Sequence, residues 1–204
     1  MDLREALTQI TEIRQQLART EVFRGYRAVP ITFSGVLALG VAGFQAVWMP
    51  QPGENVADYL VLWITAAIIS MLAMGIGLVL DYKRNYSPLT WPMARLAVGQ
   101  FVPCVAGGGL VAFVLWNHAS TCLWMLPGLW SILFGLGIFA SYRLLPRATF
   151  WVGVHYLVAG SFCLAWAQGE YAFSPLAMAI PFGIGQLMAA AIIYWTLERT
   201  NVEP

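Results

Sequence analysis

Residues 28–48 have the sequence AVPITFSGVLALGVAGFQAVW, in which no side chain carries a charge. About 20 apolar residues is the length that an α-helix needs to cross about 30 Å of hydrocarbon. Further stretches of this kind follow at 59–80, 93–116, 122–142, 148–167 and 175–197. Because unpaired backbone groups find no partner in lipid, we predict an all-α integral membrane bundle of six helices. Strands of a barrel would instead alternate apolar and polar residues over about ten positions.

The composition of the whole chain agrees with this prediction. Of its 204 residues, 59% are hydrophobic and 10% are charged, whereas soluble domains have about 45–50% and about 25%. The formal net charge of +1 gives no reason to expect nucleic acid as a partner. The composition predicts the lipid bilayer as the partner, and the short connections predict one compact bundle.

The basic residues predict how the chain crosses the membrane. All eleven Lys and Arg residues fall on one side when the six stretches alternate in direction. The opposite loops hold Glu54, Asp58, His118 and Glu170. Because loops rich in Lys and Arg stay in the cytoplasm, we predict a multi-pass protein of the inner membrane with both termini cytoplasmic.

Three antiparallel hairpins of consecutive helices are the predicted arrangement. Arg27 and Trp48 bracket the first stretch at the same spacing as Arg95 and Trp116 bracket the third, which indicates a repeated hairpin. The same spacing also arises without repetition if each helix needs a basic anchor at one surface and an aromatic anchor at the other. The predicted division is a cytoplasmic segment at 1–27, a membrane domain at 28–197 and a cytoplasmic tail at 198–204.

Tryptophan and tyrosine residues gather at the ends of the stretches, as is typical of aromatic belts at membrane surfaces. On the side opposite the basic residues the predicted belt consists of Trp48, Tyr59, Trp63, Trp116, Trp124, Trp166 and Tyr171.

Residues 2–20 are polar and predict a cytoplasmic amphipathic helix. At 100° per residue its apolar stripe covers about 120° of the surface and contains Leu3, Leu7, Ile10, Ile13 and Leu17. The other face carries balanced charges, so its attraction to anionic lipid should be weak. We therefore expect the stripe to bind protein, which is a second copy of the chain, another partner or the ends of the bundle itself.

His155 is the titratable residue that lies deepest in a predicted helix, about 12 Å along the axis from Arg147. Hydrocarbon penalises such residues unless they face a partner or water. We predict a mid-membrane polar pocket in which His155 meets Gln100 and Gln186, and we expect Pro103 to kink or locally open the third helix. The alternative is that His155 only forms a hydrogen bond to a neighbouring helix.

Small residues four positions apart predict close contacts between helices. The pairs are Ala73 with Gly77, Ser131 with Gly135, and Gly185 with Ala189. Serine hydroxyls within the helices are expected to bond to the preceding helical turn.

The residue inventory argues against several functions. No Asp or Glu lies well inside a predicted helix, unlike in ion-coupled carriers. The three cysteines form no CxxC pair, and no catalytic residue, cofactor or metal site is predicted. The chain fits best a non-enzymatic membrane protein of structural, assembly or regulatory type. The alternatives are a channel or facilitator for a small neutral solute and a membrane-embedded lipid-modifying enzyme with His155 as its base.

Overall fold

A computed structural model of the chain describes residues 27–84 and 90–199. This part is all-helical and contains no strand, so the all-α prediction is confirmed for it. Six helices are long and apolar enough to cross a membrane. Their bounds are α1 Ala28–Trp48, α2 Val56–Arg84, α3 Thr90–His118, α4 Ser120–Ala140, α5 Thr149–Trp166 and α6 Pro175–Glu198.

The predicted amphipathic helix, with its stripe of Leu3, Leu7, Ile10, Ile13 and Leu17, lies outside the described residues. The division of the chain into a cytoplasmic segment, a membrane domain and a tail therefore stays a prediction. Helices α2 and α3 continue beyond the apolar stretches at 59–80 and 93–116 at both ends.

Close contacts at glycine hold the helices together. A Cβ atom at Gly128 of α4 would lie 2.8 Å from the Gly160 carbonyl oxygen of α5, and one at Gly160 would lie 2.7 Å from the Gly128 oxygen. A Cβ at Gly77 of α2 would meet Pro30 of α1 at 2.6 Å. Such approaches let backbones pack without intervening side chains. The predicted tight contacts are confirmed at Gly77 and also at Gly135 and Gly185, both of which face Tyr156.

The helices do not pack equally with one another. Helix α1 packs on α2 and α6, α4 packs on α3 and α5, and α5 also contacts α6. The most extensive contact joins α4 to α5. In the predicted arrangement these two helices belong to different hairpins. At one end of the bundle Arg27 pairs with Asp81, and the Ala28 N–H donates to Glu198 Oε1 at 2.9 Å. We call this the Arg27 end.

Two of the predicted belt residues are instead part of the core. Tyr59 is 0% exposed and Trp63 is 3% exposed, whereas Trp48 and Trp166 lie on the surface as expected. Tyr59 and Trp63 share one face of α2 because they are four residues apart. That face packs on α1 and on the segment before α6.

Around its proline, α6 departs from regular α-helix, whereas α3 does not. Helix α3 is continuously α-helical through Pro103, so the structure shows no opened turn there, and the kink that was the other expectation stays a prediction. In α6, residues Ala179–Ile184 form a π-helical turn around Pro181. Proline has no N–H to donate to the carbonyl four residues earlier, which belongs to Ala177. The Cys163 thiol of α5 donates to that carbonyl instead, at 3.6 Å.

Candidate functional site

His155 lies on α5 and makes a hydrogen bond to the backbone of α6. Its Nε2 is 3.1 Å from the Ile180 carbonyl oxygen, and its side chain is half-buried. A carbonyl only accepts, so Nε2 carries the hydrogen in this contact. Ile180 belongs to the π-helical turn, where a displaced carbonyl is available to a neighbouring helix. The structure therefore gives His155 the helix-bridging contact that was the alternative to a pocket role.

Gln186 lies near Tyr156, and no hydrogen bond among the described residues joins it to His155. Tyr156 is 0% exposed, and its ring packs on Phe134 at 4.7 Å and on Phe182 at 5.4 Å between centroids. Its hydroxyl lies close to the Gln186 side chain, but the two do not meet the geometry of a hydrogen bond. His155 and Tyr156 are adjacent in sequence, so their side chains leave α5 in different directions.

Gln100 lies on α3, and its Oε1 is buried without a hydrogen-bond partner among the described residues. The neighbouring Phe101 packs on Phe134 with centroids 4.8 Å apart. Within residues 27–84 and 90–199, no hydrogen bond joins Gln100 to His155 or Gln186. The convergence of these residues with Pro103 in one pocket stays a prediction.

A polar cluster that the sequence reasoning missed lies at the other end of the bundle from Arg27. Gln45 of α1 is 0% exposed and uses both atoms of its amide. Its Nε2 donates to the Phe173 carbonyl at 2.7 Å, and its Oε1 accepts from Trp63 Nε1 at 2.8 Å. This amide joins α1, α2 and the connection between α5 and α6. We call this region the Gln45 end.

Tyr59 lies beside this amide cluster. The Tyr59 ring packs on the Phe173 ring with centroids 4.8 Å apart. Its hydroxyl is buried and finds no hydrogen-bond partner in the described part of the chain. Phe173 itself has a φ of 61°, which a bulky residue rarely adopts.

One signal in the sequence could have revealed this cluster. Gln45 is the only amide side chain between residues 28 and 48, and a polar side chain within a membrane helix usually turns towards protein. Tyr59 and Trp63 carried no such signal, because an aromatic residue near a helix end fits a belt and a core equally well.

Other polar groups in the helices bond to nearby backbone. Trp130 Nε1 donates to the Gly108 carbonyl at 3.1 Å and so ties α4 to α3. The Ser131 hydroxyl donates to the Pro127 carbonyl at 2.8 Å, which confirms for Ser131 the expected bond to the preceding turn. Within the described residues, no group of three or more His, Cys, Asp or Glu side chains lies close enough together to hold a metal ion.

Comparison with known proteins adds no relative. No protein-family model, no curated protein and no solved structure matches the chain.

Proposed function

We propose that the chain is a non-enzymatic, multi-pass inner-membrane protein of structural, assembly or regulatory type, and that residues 1–20 bind a protein partner or a second copy. The observation that carries this proposal is an interior filled by packed rings. Phe134 contacts Phe101, Tyr156 and Phe182 with centroids 4.7–5.5 Å apart. Rings from α3, α4, α5 and α6 thus pack together inside the bundle, which supports a structural role.

The internal polar bonds support the same proposal. Gln45, Trp63 and Trp130 use their polar atoms to join helices to one another. Side chains engaged in this way stabilise a bundle, and they are less available to bind a solute. The surface through which the protein acts is then its apolar N-terminal stripe.

The proposed orientation places both termini in the cytoplasm and consecutive helices antiparallel. Two contacts support this arrangement. Arg27 at the start of α1 pairs with Asp81 near the end of α2, and Gln45 near the end of α1 bonds to Trp63 near the start of α2. Eleven basic residues on one predicted side support the cytoplasmic assignment.

The decisive experiment changes only the apolar stripe. Leu7→Asp with Ile10→Asp puts charge on the face proposed to bind protein, and burial of unpaired charge is strongly unfavourable. Thr8→Asp with Gln15→Asp adds the same charge to the polar face and is the matched control. We expect the first variant alone to lose the native oligomeric mass and the cross-links formed in membranes.

A deletion of residues 1–19 separates assembly from folding. If the proposal is right, the shortened protein remains a monodisperse helical bundle and loses only its assembly. Aggregation of the shortened protein, or unchanged assembly of the Leu7→Asp and Ile10→Asp variant, would contradict it.

One observation favours a facilitator of small neutral solutes as the second candidate. Tyr156 and Gln100 each hold a buried polar atom without a hydrogen-bond partner among the described residues, and such atoms are the groups that a solute route needs. Solute-driven swelling of vesicles containing the purified protein tests this candidate. Uptake no faster than in protein-free vesicles eliminates it, whereas faster uptake that Tyr156→Phe abolishes supports it.

A further inference from the structure

The start of α1 is bonded to two other helices at the Arg27 end. Arg27 Nε donates to Asp81 Oδ1 near the end of α2 at 2.8 Å, and the Ala28 N–H donates to Glu198 Oε1 at the end of α6 at 2.9 Å. Asp81 is 8% exposed, and Glu198 is half-buried. Two consecutive residues of α1 therefore bond to carboxylates of two different helices. We call this pair of contacts the α1 joint.

The joint supplies a bond that α1 does not provide for itself. The first N–H groups of a helix have no partner within it and are usually capped by the side chain that precedes the helix. Arg27 occupies that position and makes no such bond, and the first turn of α1 contains no acidic residue. Glu198 takes the place of the missing cap, and its negative charge suits the positive end of the helix dipole.

Apolar packing supports the joint on the membrane side. Ala28 and Ile31 of α1 are buried in one cluster with Ala190 and Ile193 of α6, and Met74 of α2 packs on the same cluster. The first turn of α1 is therefore held by its side chains as well as by its polar atoms. Residues 1–26, which include the apolar stripe, are joined to the bundle at this point.

We propose that the α1 joint orients residues 1–26 for their assembly contact, so that opening of the joint weakens assembly. This inference rests on the proposed function of the stripe. A segment that leaves the bundle from a held residue samples fewer directions, and an apparent affinity falls with the fraction of molecules in the binding-competent arrangement. Any movement of α2 or α6 that parts these contacts then changes assembly as well.

The first test measures the direction of the N-terminal segment. Spin labels are attached at Gln16→Cys and, on α5, at Val158→Cys in otherwise cysteine-free protein. The labelled protein is diluted into an excess of unlabelled protein, so that the measured distances lie within one copy. We expect one narrow distance distribution with the native joint and a wider one after Glu198→Leu, which removes the acceptor. Glu198→Gln keeps an acceptor for the Ala28 N–H and should stay narrow.

Two results of this measurement overturn the joint. One is a distribution that is already broad with the native joint. The other is the same width for Glu198→Leu as for the native residue.

The second test measures assembly of the same variants. At a concentration well below saturation, Glu198→Leu should lower the yield of cross-links in membranes about tenfold if the joint is closed in only about a tenth of its molecules. Glu198→Gln should stay near the native yield. Glu54→Leu is the matched control, because it removes an exposed carboxylate at the Gln45 end. Asp81→Leu opens the other half of the joint and should lower the yield in the same direction.

The stripe and the joint are tested separately. If Leu7→Asp with Ile10→Asp leaves the cross-links unchanged, the assembly role of the stripe fails, and with it the role of the joint in assembly. If that variant loses the cross-links while Glu198→Leu keeps the native yield, the stripe assembles without help from the joint, and the joint alone is overturned.

Discussion

The Trp63 indole N–H donates to Gln45 Oε1 at 2.8 Å, and both side chains are buried. Because the same amide also bonds to the Phe173 carbonyl at 2.7 Å, one side chain of α1 joins two other parts of the chain. Lipid tails are as apolar as the side chains of a helix, so burial of apolar surface does little to hold membrane helices together. Hydrogen bonds and close backbone contacts carry more of that role.

Gln45→Leu should therefore destabilise the bundle. The substitution keeps a side chain of similar volume but leaves the Trp63 N–H and the Phe173 carbonyl unpaired in the core, at a cost of about 1–3 kcal/mol. Gln168→Leu is the matched control, since Gln168 is exposed just beyond α5 and its side chain donates to the Leu164 carbonyl in the last turn of that helix. Thermal unfolding in detergent, followed by tryptophan fluorescence, checks the difference. Equal melting temperatures for the two variants would contradict the role assigned to Gln45.

Gly160→Ala should separate α4 from α5. The new Cβ would lie 2.7 Å from the Gly128 carbonyl oxygen, and a backbone atom cannot move aside without shifting its helix. Overpacking of this kind costs about 1–3 kcal/mol. At Gly43 of α1 an added Cβ meets nothing within 4 Å, so Gly43→Ala should be neutral or slightly stabilising. The same melting assay distinguishes the two, and a neutral Gly160→Ala would show that the contact between α4 and α5 is looser.

The helices themselves could be predicted from the sequence, and the residues that join them could not. Helix α1 extends over Ala28–Trp48, as its uninterrupted apolar stretch indicates, because length and composition suffice to specify a membrane helix. The positions of Tyr59 and Trp63 near a helix end predict a belt, whereas the structure buries both side chains. Which side of α2 faces protein depends on its neighbours, and a single apolar helix carries little information about that.

The two prolines illustrate the same limit. Pro103 and Pro181 both interrupt predicted helices, yet α3 stays α-helical and α6 forms a π-helical turn. Either proline removes one backbone donor. Around Pro181, Cys163 donates to the Ala177 carbonyl, and His155 contacts the Ile180 carbonyl. These partners come from α5, so the distortion depends on tertiary contacts that spacing along α6 does not reveal.

The pairing of Arg27 with Asp81 should be worth more than an ordinary surface ion pair. Asp81 is 8% exposed, and Arg27 Nε donates to its Oδ1 at 2.8 Å. Exposed pairs contribute about 0.2–1 kcal/mol, whereas removal of one member of a buried pair costs about 3–5 kcal/mol. Since the Arg27 side chain is 43% exposed, we expect a coupling energy of about 1–2 kcal/mol, between these limits.

A double-mutant cycle measures that coupling. Asp81→Asn and Arg27→Gln are compared singly and together by thermal unfolding. Asp58→Asn, at the other end of α2, is the control for loss of a carboxylate. Additive effects of the two substitutions would mean that the pair does not contribute.

The proposed topology predicts which loops a membrane-impermeant thiol reagent reaches from outside the inner membrane. In a cysteine-free background, single cysteines at Gly53 and Gly169 should react in intact spheroplasts. Cysteines at Arg84 and Arg147 should react only after the membrane is opened. The reason is that the reverse orientation would export all eleven basic residues. Labelling at Arg84 or Arg147 in intact cells would reverse the assignment.

Substitutions of His155 test whether this residue only joins two helices by a hydrogen bond or also binds a solute. Its Nε2 lies 3.1 Å from the Ile180 carbonyl oxygen, and glutamine offers an N–H donor of similar reach. If the bridge is its role, His155→Gln should lose no more than the average of about 0.6 kcal/mol for a hydrogen bond between membrane helices, and His155→Leu should lose up to about 1.7 kcal/mol. Melting temperatures of both variants in one detergent check this order.

Val158→Leu is a control for repacking on α5, because Val158 is 63% exposed and makes no such bond. Vesicle swelling provides the second readout. If His155 only joins the two helices, His155→Gln should leave both the rate of vesicle swelling and the melting temperature near the native values. If His155→Gln melts like the native protein but abolishes solute-dependent swelling, His155 acts on a solute and the helix-bridging role is insufficient.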